Sequence, residues 1–212
     1  MSVDQVRNAI IDAVHKNQHD SRPMPQVPHF GVDDSYDLVA SFTQGVVRMA
    51  GTVIPDAIPD LDDFVRNNFP NAKVICSAVP ECKGTIRPAE LSHWSEASKI
   101  DVSIVRSPMG VAETGSVLLS VQELQVNTIA CLSHDLVVLL DPTQIVRNIH
   151  DVYRHPYFKT RPYSLLMTGP SGSADIGGVT VHPAQGVKTL TIVLMRDPKR
   201  RAEFVHKYPS DP

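Results

Sequence analysis

Residues Asp135–Leu140 read DLVVLL, an acidic residue and then five apolar ones, and Asp141 with Pro142 stops the run. A strand with one face in water alternates apolar and polar side chains, because successive side chains point to opposite faces. This stretch does not alternate, so both of its faces need cover. That is the situation of a strand inside a parallel sheet flanked by helices. Neighbours for it are at hand in residues 101–106 (DVSIVR), 190–195 (LTIVLM), 163–167 (YSLLM) and the shorter run 73–79 (KVICSAV). Residues 111–121 are apolar around a polar break at 113–116. Strand and helix patterns alternate through this half of the chain. The expected fold class is therefore α/β, with an open, mostly parallel sheet whose ligands gather at the carboxyl ends of the strands.

Helices are expected on both sides of that sheet. Ser2 and Gln5 have capping-box spacing, and Val6, Ile10, Ala13 and Val14 recur at helical intervals, which predicts a helix over 3–16. Pro23, Pro25 and Pro28 follow, so residues 20–28 read as an extended arm. The division is thus 1–30, an N-terminal helix and Pro-rich arm, and 31–212, a single α/β domain. The first helix is expected to pack on a partner copy, making a homo-oligomer. Asp33, Asp34 and Ser35 offer caps for a second helix with Val39, Phe42 and Val46 inward and Gly51 as its stop. Asp60 opens a third with Leu61, Phe64 and Val65, ended before Pro70, and Pro88 a short one through Leu91 and Trp94. Asp141 caps a helix with Pro142 first, Gln144 three residues after the cap, and Ile145, Ile149 and Val152 inward.

Composition excludes several classes. The formal net charge is −3 and aromatic content is 6%, so the chain lacks the basic excess and the stacking surface of a nucleic-acid binder. The basic cluster Lys199, Arg200 and Arg201 reads as a solvated tail, with an electrostatic docking patch as the sharper alternative. Cys76, Cys82 and Cys131 form no C-x-x-C pair, which argues against a zinc ribbon, a ferredoxin-type cluster or a disulfide framework and for a reducing compartment. The histidines form no metal-ligand spacing. No apolar run approaches the ~18 residues of a membrane span and no secretory signal is visible, so a soluble cytoplasmic chain is expected.

Two loops carry the candidate chemistry. Thr168, Gly169, Pro170, Ser171, Ser173, Ala174 and Asp175 follow a strand directly. Glycines there let the backbone aim N–H groups at one point, the serines add hydroxyls, and such a nest favours phosphate or carboxylate. Asp175 can orient a hydroxyl or act as a base. The plainer alternative is a strand-to-turn connection with a capping Asp. The second loop is Glu113, Thr114, Gly115 and Ser116. Glu113 lies in apolar sequence, and partial burial would suit a nucleophile or base. The plainer alternative is a hairpin turn with Glu113 in water. A third stretch, Ser133-His134-Asp135, invites a catalytic relay, but neighbours on a strand point to opposite faces.

The segments GVAETGSVLL at 110–119 and SLLMTGPSGSADI at 164–176 together resemble the LUD-domain family, of the lactate-utilisation protein C type. That family carries Ala-Glu-Thr-Gly-Thr and, later, Thr-Gly-Pro-Ser-x-Thr-Ala-Asp-Ile. The resemblance covers residues 100–195. It implies a fold like that of sugar-phosphate isomerases and coenzyme A transferases. It also implies a part in oxidising L-lactate to pyruvate beside iron–sulfur partner proteins, with no cluster bound by this chain. By match, Glu113 and Asp175 become the catalytic candidates. Thr114, Gly115, Ser116, Thr168, Gly169, Pro170, Ser171, Ser173 and Ala174 become the binding ones, for an anionic small molecule. Glu113 as an acyl-accepting nucleophile is analogy at the level of fold. Two positions depart from the family pattern: Gln185 stands where a histidine is usual, and His134 comes one place early.

Overall fold

The computed structural model describes residues 2–18, 25, 28, 36–55, 58–176, 179–181 and 186–209, without the side chains of 174–176 and 179–181. It divides into two units, Met1–Ser35 and Tyr36–Pro212. In the first, helix α1 (Val3–Lys16) opens on the expected capping box: Ser2 Oγ accepts from the Gln5 N–H at 3.3 Å and Gln5 Oε1 from the Ser2 N–H at 2.8 Å. Its apolar stripe, Val3, Val6, Ile10 and Val14, is exposed. The Pro-rich arm, apart from Pro25 and Pro28, lies outside the described residues, as do Asp33, Asp34 and Ser35.

The second unit begins with α2 (Leu38–Arg48), β1 (Thr52–Ile54), α3 (Leu61–Asn68) and β2 (Ile75–Ser77). It continues with β3 (Val102–Ser107), β4 (Met109–Val111), β5 (Ser116–Ser120), α4 (Val121–Leu124), α5 (Ile129–Leu132) and β6 (Asp135–Leu140). Then come β7 (Ile145–Val146), α6 (Ile149–Arg154), α7 (Pro156–Lys159), β8 (Ser164–Met167), β9 (Ser173–Ile176), β10 (Val179–Val181), β11 (Thr189–Leu194) and α8 (Pro198–Lys207).

Five strands form the central sheet in the order β1-β11-β6-β3-β2, every neighbouring pair parallel. The DLVVLL strand β6 is its middle. Leu136, Val138 and Leu140 enter one core with Phe42 and Val46 of α2. Val137 and Leu139 enter another with Leu61 and Val65 of α3. Both faces are buried, as the unbroken apolar run requires, and each such side chain contributes about 1.5–3 kcal/mol on burial. A second sheet, β7-β4-β5-β8, lies beyond. Val117 and Leu119 of β5 face the main core, whereas Leu118 joins Met109, Val111, Val152 and Tyr157 in a third cluster.

Several local expectations change. The α2 cap is Asp37, whose Oδ1 accepts from the Ala40 N–H at 3.0 Å. The buried face of α2 is Phe42, Gly45 and Val46, with Val39 exposed. The chain reverses at Ala50, φ +62°, one residue before Gly51. The single helix expected after Asp141 is instead a 3₁₀ turn (Pro142–Gln144), then β7, then α6. Asn148 explains the break: its side chain accepts from the His150 and Asp151 N–H groups and starts a new helix. Ser173, Ala174 and Asp175 lie in strand β9, so the loop after β8 is shorter than its sequence suggests. The basic stretch at 199–201 is no tail but the first turns of α8, capped by Asp197 and started by Pro198. Among the described residues no helix is long and apolar enough to cross a membrane.

Candidate functional site

The first motif is the tip of the β4–β5 hairpin. Antiparallel pairing ends at Val111 opposite Ser116 and leaves residues 112–115 as the turn. The turn is tied down on both sides: Glu113 N–H donates to the Arg147 carbonyl at 3.0 Å and Gly115 N–H to the Val111 carbonyl at 2.9 Å. Val111, Ala112 and Val117 are buried, but Glu113 is exposed. The partial burial expected for its carboxylate is therefore absent, because the turn lifts position 113 out of the core that its neighbours enter. Gly115 has φ +69°, and a Cβ there would stand 2.2 Å from the Val46 nitrogen. The hairpin tip thus sits directly against the backbone of α2, which only glycine allows.

The second motif meets the first edge to edge. Val117 pairs with Met167, so Ser116 and Thr168 lie opposite one another, with Oγ and Oγ1 2.5 Å apart. Ser116 Oγ is also 2.6 Å from Thr114 Oγ1, completing a chain of three hydroxyls. Gly169, φ +68°, approaches the end of α2, where a Cβ would stand 2.1 Å from the Met49 carbonyl oxygen. Gly169 and Pro170 are buried, and the Ser171 N–H donates to the Val187 carbonyl at 2.9 Å. The glycines serve close approach to α2, and the Gly115 and Ser171 N–H groups already have acceptors. The anion nest expected of the 168–175 loop therefore loses the Ser171 donor. Asp175 and Ala174 lie in β9 with their side chains outside the described residues, and Gln185 lies outside them altogether.

Position also differs from expectation. Met49 and Val187 come just before β1 and β11, which places the second motif at the amino end of the central sheet. His134 is at that end too, with Nδ1 3.9 Å from Asp101 Oδ1. Asp101 Oδ2 accepts from the Val74 and Lys73 N–H groups at 2.8 and 2.7 Å, which hold its carboxyl below the usual range. Asp135 accepts from Thr189 Oγ1 at 2.6 Å. His134 thus faces Asp101 at the sheet edge, a contact that becomes an ion pair when the imidazole is protonated.

At the opposite, carboxyl end lies a cleft of about 330 Å³ between α8 and the ends of β2, β3 and β6. Arg106, Glu123, Asp141, Tyr157, Arg201 and Lys207 are among its walls. Tyr157 is buried; its hydroxyl donates to Glu123 and lies 2.9 Å from Ser120 Oγ. Burial first, and the bond to Glu123 next, push its phenol well above the ordinary tyrosine value. Burial acts to raise the Asp141 carboxyl. The hydrogen bonds from Thr143 and from the Asp197 N–H outweigh it and hold Asp141 below the usual range. Of this region, sequence reading singled out for function only Arg200 and Arg201, in the basic cluster with a docking patch as its sharper alternative, because the other walls come from distant segments. The available signal was Asp197-Pro198 as cap and first residue, with Phe204 and Tyr208 at i, i+4.

Among the described residues no group of three or more His, Cys, Asp or Glu side chains is placed to hold a metal ion. Cys76 and Cys82 are buried and Cys131 is exposed. The model of the LUD domain family matches residues 83–195, a span containing both motifs and ending before α8. A solved structure of a DUF162 family protein from Deinococcus radiodurans is similar in fold, with a TM-score of 0.57 at 14% identity, covering 74% of this chain and 95% of that one. No curated protein matches the chain.

Proposed function

Because this chain belongs to the LUD-domain family, we propose that it serves lactate or related 2-hydroxy-acid utilisation as a cytoplasmic component of the lactate-utilisation protein C type. In this reading it binds no iron–sulfur cluster itself and works with iron–sulfur partner proteins. Converting a 2-hydroxy acid to a 2-oxo acid releases a pair of electrons and two protons. The partners' clusters take the electrons, and this chain contributes binding and proton handling. The observation that supports the reading is the Ser116–Thr168 contact, which joins two motifs 52 residues apart. The Thr114 hydroxyl joins that contact, and the exposed Glu113 is the adjoining residue of the turn. Hydroxyls donate to a carboxylate, and a carboxylate accepts from a substrate hydroxyl, so the pair suits a small hydroxy acid. Affinity capture from the native cell is expected to recover an iron–sulfur protein, and deletion to abolish growth on lactate. Capture of no such partner together with normal growth removes the reading.

The turn fixed at both sides holds Glu113 in one place and supports a second reading, an enzyme of acyl or phosphate-ester chemistry with Glu113 as nucleophile or base, although its exposure leaves out the burial that would activate it. Its mark is a Glu113→Gln protein that is still stabilised by ligand but has lost turnover.

A further inference from the structure

We infer that the cleft under α8 is a second binding site, taking a small organic anion that joins a carboxylate or phosphate to an apolar body. The inference is independent of the motif face and of the function proposed for it. The cleft lies about 13 Å from the Glu113 turn, counted along β5 from Ser116 to Ser120.

Position is the first argument. In open α/β sheets the carboxyl ends of the strands leave a crevice for ligands, and here Ala78, Ser107 and Asp141 follow directly from, or end, the strands that open into it. Its volume of about 330 Å³ suits a small molecule.

Charge commitment is the second. Four carboxylates and four cations line the cleft, but they are not equally engaged. Glu123 accepts from the Ser120 N–H, the Ser120 hydroxyl and the Tyr157 hydroxyl. Asp141 accepts from Thr143 and from the Asp197 N–H. Asp197 accepts from the Arg200 N–H and pairs with Arg200 Nε at 3.4 Å. Arg106 pairs with Glu81, while its buried Nε has no partner. Among the described residues this leaves Arg201 and Lys207 with no ion pair, against Glu203 alone. A hydrogen-bonded carboxylate keeps its charge, and Arg201 lies close enough to Asp141 to help hold its carboxyl low, so the formal charge of the lining is even. What differs is hydrogen-bonding capacity: Glu123, Asp141 and Asp197 already accept from protein donors, whereas the side-chain donors of Arg201 and Lys207 make no hydrogen bond among the described residues and can serve an anion.

The geometry of α8 is the third. Arg201, Phe204 and Lys207 of α8, with its C-cap Tyr208, all border the cleft. Phe204 and Tyr208 anchor the helix there: their rings lie 5.2 and 5.1 Å from Tyr157, and Arg161 donates to the Tyr208 hydroxyl. Anchoring the aromatics brings Arg201 and Lys207 to the cleft, with the ring edges as its apolar wall. The cleft therefore joins walls inside the family-matched span, such as Arg106, Glu123 and Asp141, to cations from α8, which lies beyond it.

Isothermal titration of the full chain with phenyl phosphate and with benzoate, at low salt, tests the site. At least one is expected to bind, and the tighter of the two identifies the anion class. The exposed double substitution R201Q/K207Q should weaken binding about tenfold or more without changing the melting temperature, while Glu113→Gln should leave it unchanged. A single K207Q protein is the check if the double variant is unstable. Failure of both probes to bind at millimolar concentration overturns the inference, as does binding that survives loss of these cations.

Discussion

The two ends of the central sheet are built on opposite plans. At the amino end, the face formed by the sequence motifs is held by backbone contact: Gly115 and Gly169 sit against α2, and three neutral hydroxyls join in a row. At the carboxyl end, the cleft is held by side chains, with ionised groups and stacked aromatics drawn from β3, α4, α7 and α8. A site made of backbone leaves a trace in consecutive residues, because glycine is needed at fixed places in the turn. A site made of side chains from distant segments leaves only scattered traces, because any one of its residues reads as ordinary surface.

The contrast is sharpest in stability. Gly115→Ala combines a left-handed φ with a Cβ 2.2 Å from the Val46 nitrogen. It should cost about 2–4 kcal/mol, seen as a lower denaturant midpoint at unchanged slope. Wild-type stability in that variant would mean that α2 does not rest on the hairpin. Phe204→Ala comes next. It removes the ring that stacks on His155 at 5.4 Å and packs tilted against Tyr157 at 5.2 Å, and should cost about 2 kcal/mol. Hydrogen exchange should then quicken in 198–207 and stay slow in 112–116; equal loss at both ends would join what the structure separates.

The smallest expected effect is in pH. Burial lowers the half-buried His155 below its usual value of 6.5. Between 6.5 and that lowered value the unfolded chain binds a proton that the folded one does not. Stability therefore falls as pH drops from 6.5 to the folded value and is flat below it. His155→Phe keeps a flat ring against Phe204 and should remove that dependence from α8 protection, leaving the motif face as it was.

Much of the scaffold was legible. The unbroken DLVVLL run announced a strand buried on both faces, and β6 is the middle of an all-parallel sheet. The Ser2–Gln5 box, the Asp60 cap and the strands around 102, 164 and 190 stand where local pattern placed them. Expectations failed where one local signal competed with another. Residues 141–152 have helical periodicity, yet Asn148 caps a new helix, and Ile145 pairs with Gly110 in the second sheet. Glu113 has apolar neighbours but is exposed, because a turn does not share the burial of the strands it joins.

Hydrophobic period, caps and turn residues act over a few neighbours, so the sequence alone determined the elements, the α/β class and the pair of motifs that mark the family. Tertiary structure decided what those motifs touch. Ser116 meets Thr168 across a strand pair, the two glycines meet α2, and a basic stretch that looked like a tail brings Arg200 and Arg201 to the carboxyl ends of the strands. Those relations depend on which distant segments share a core, and no local pattern carries that information.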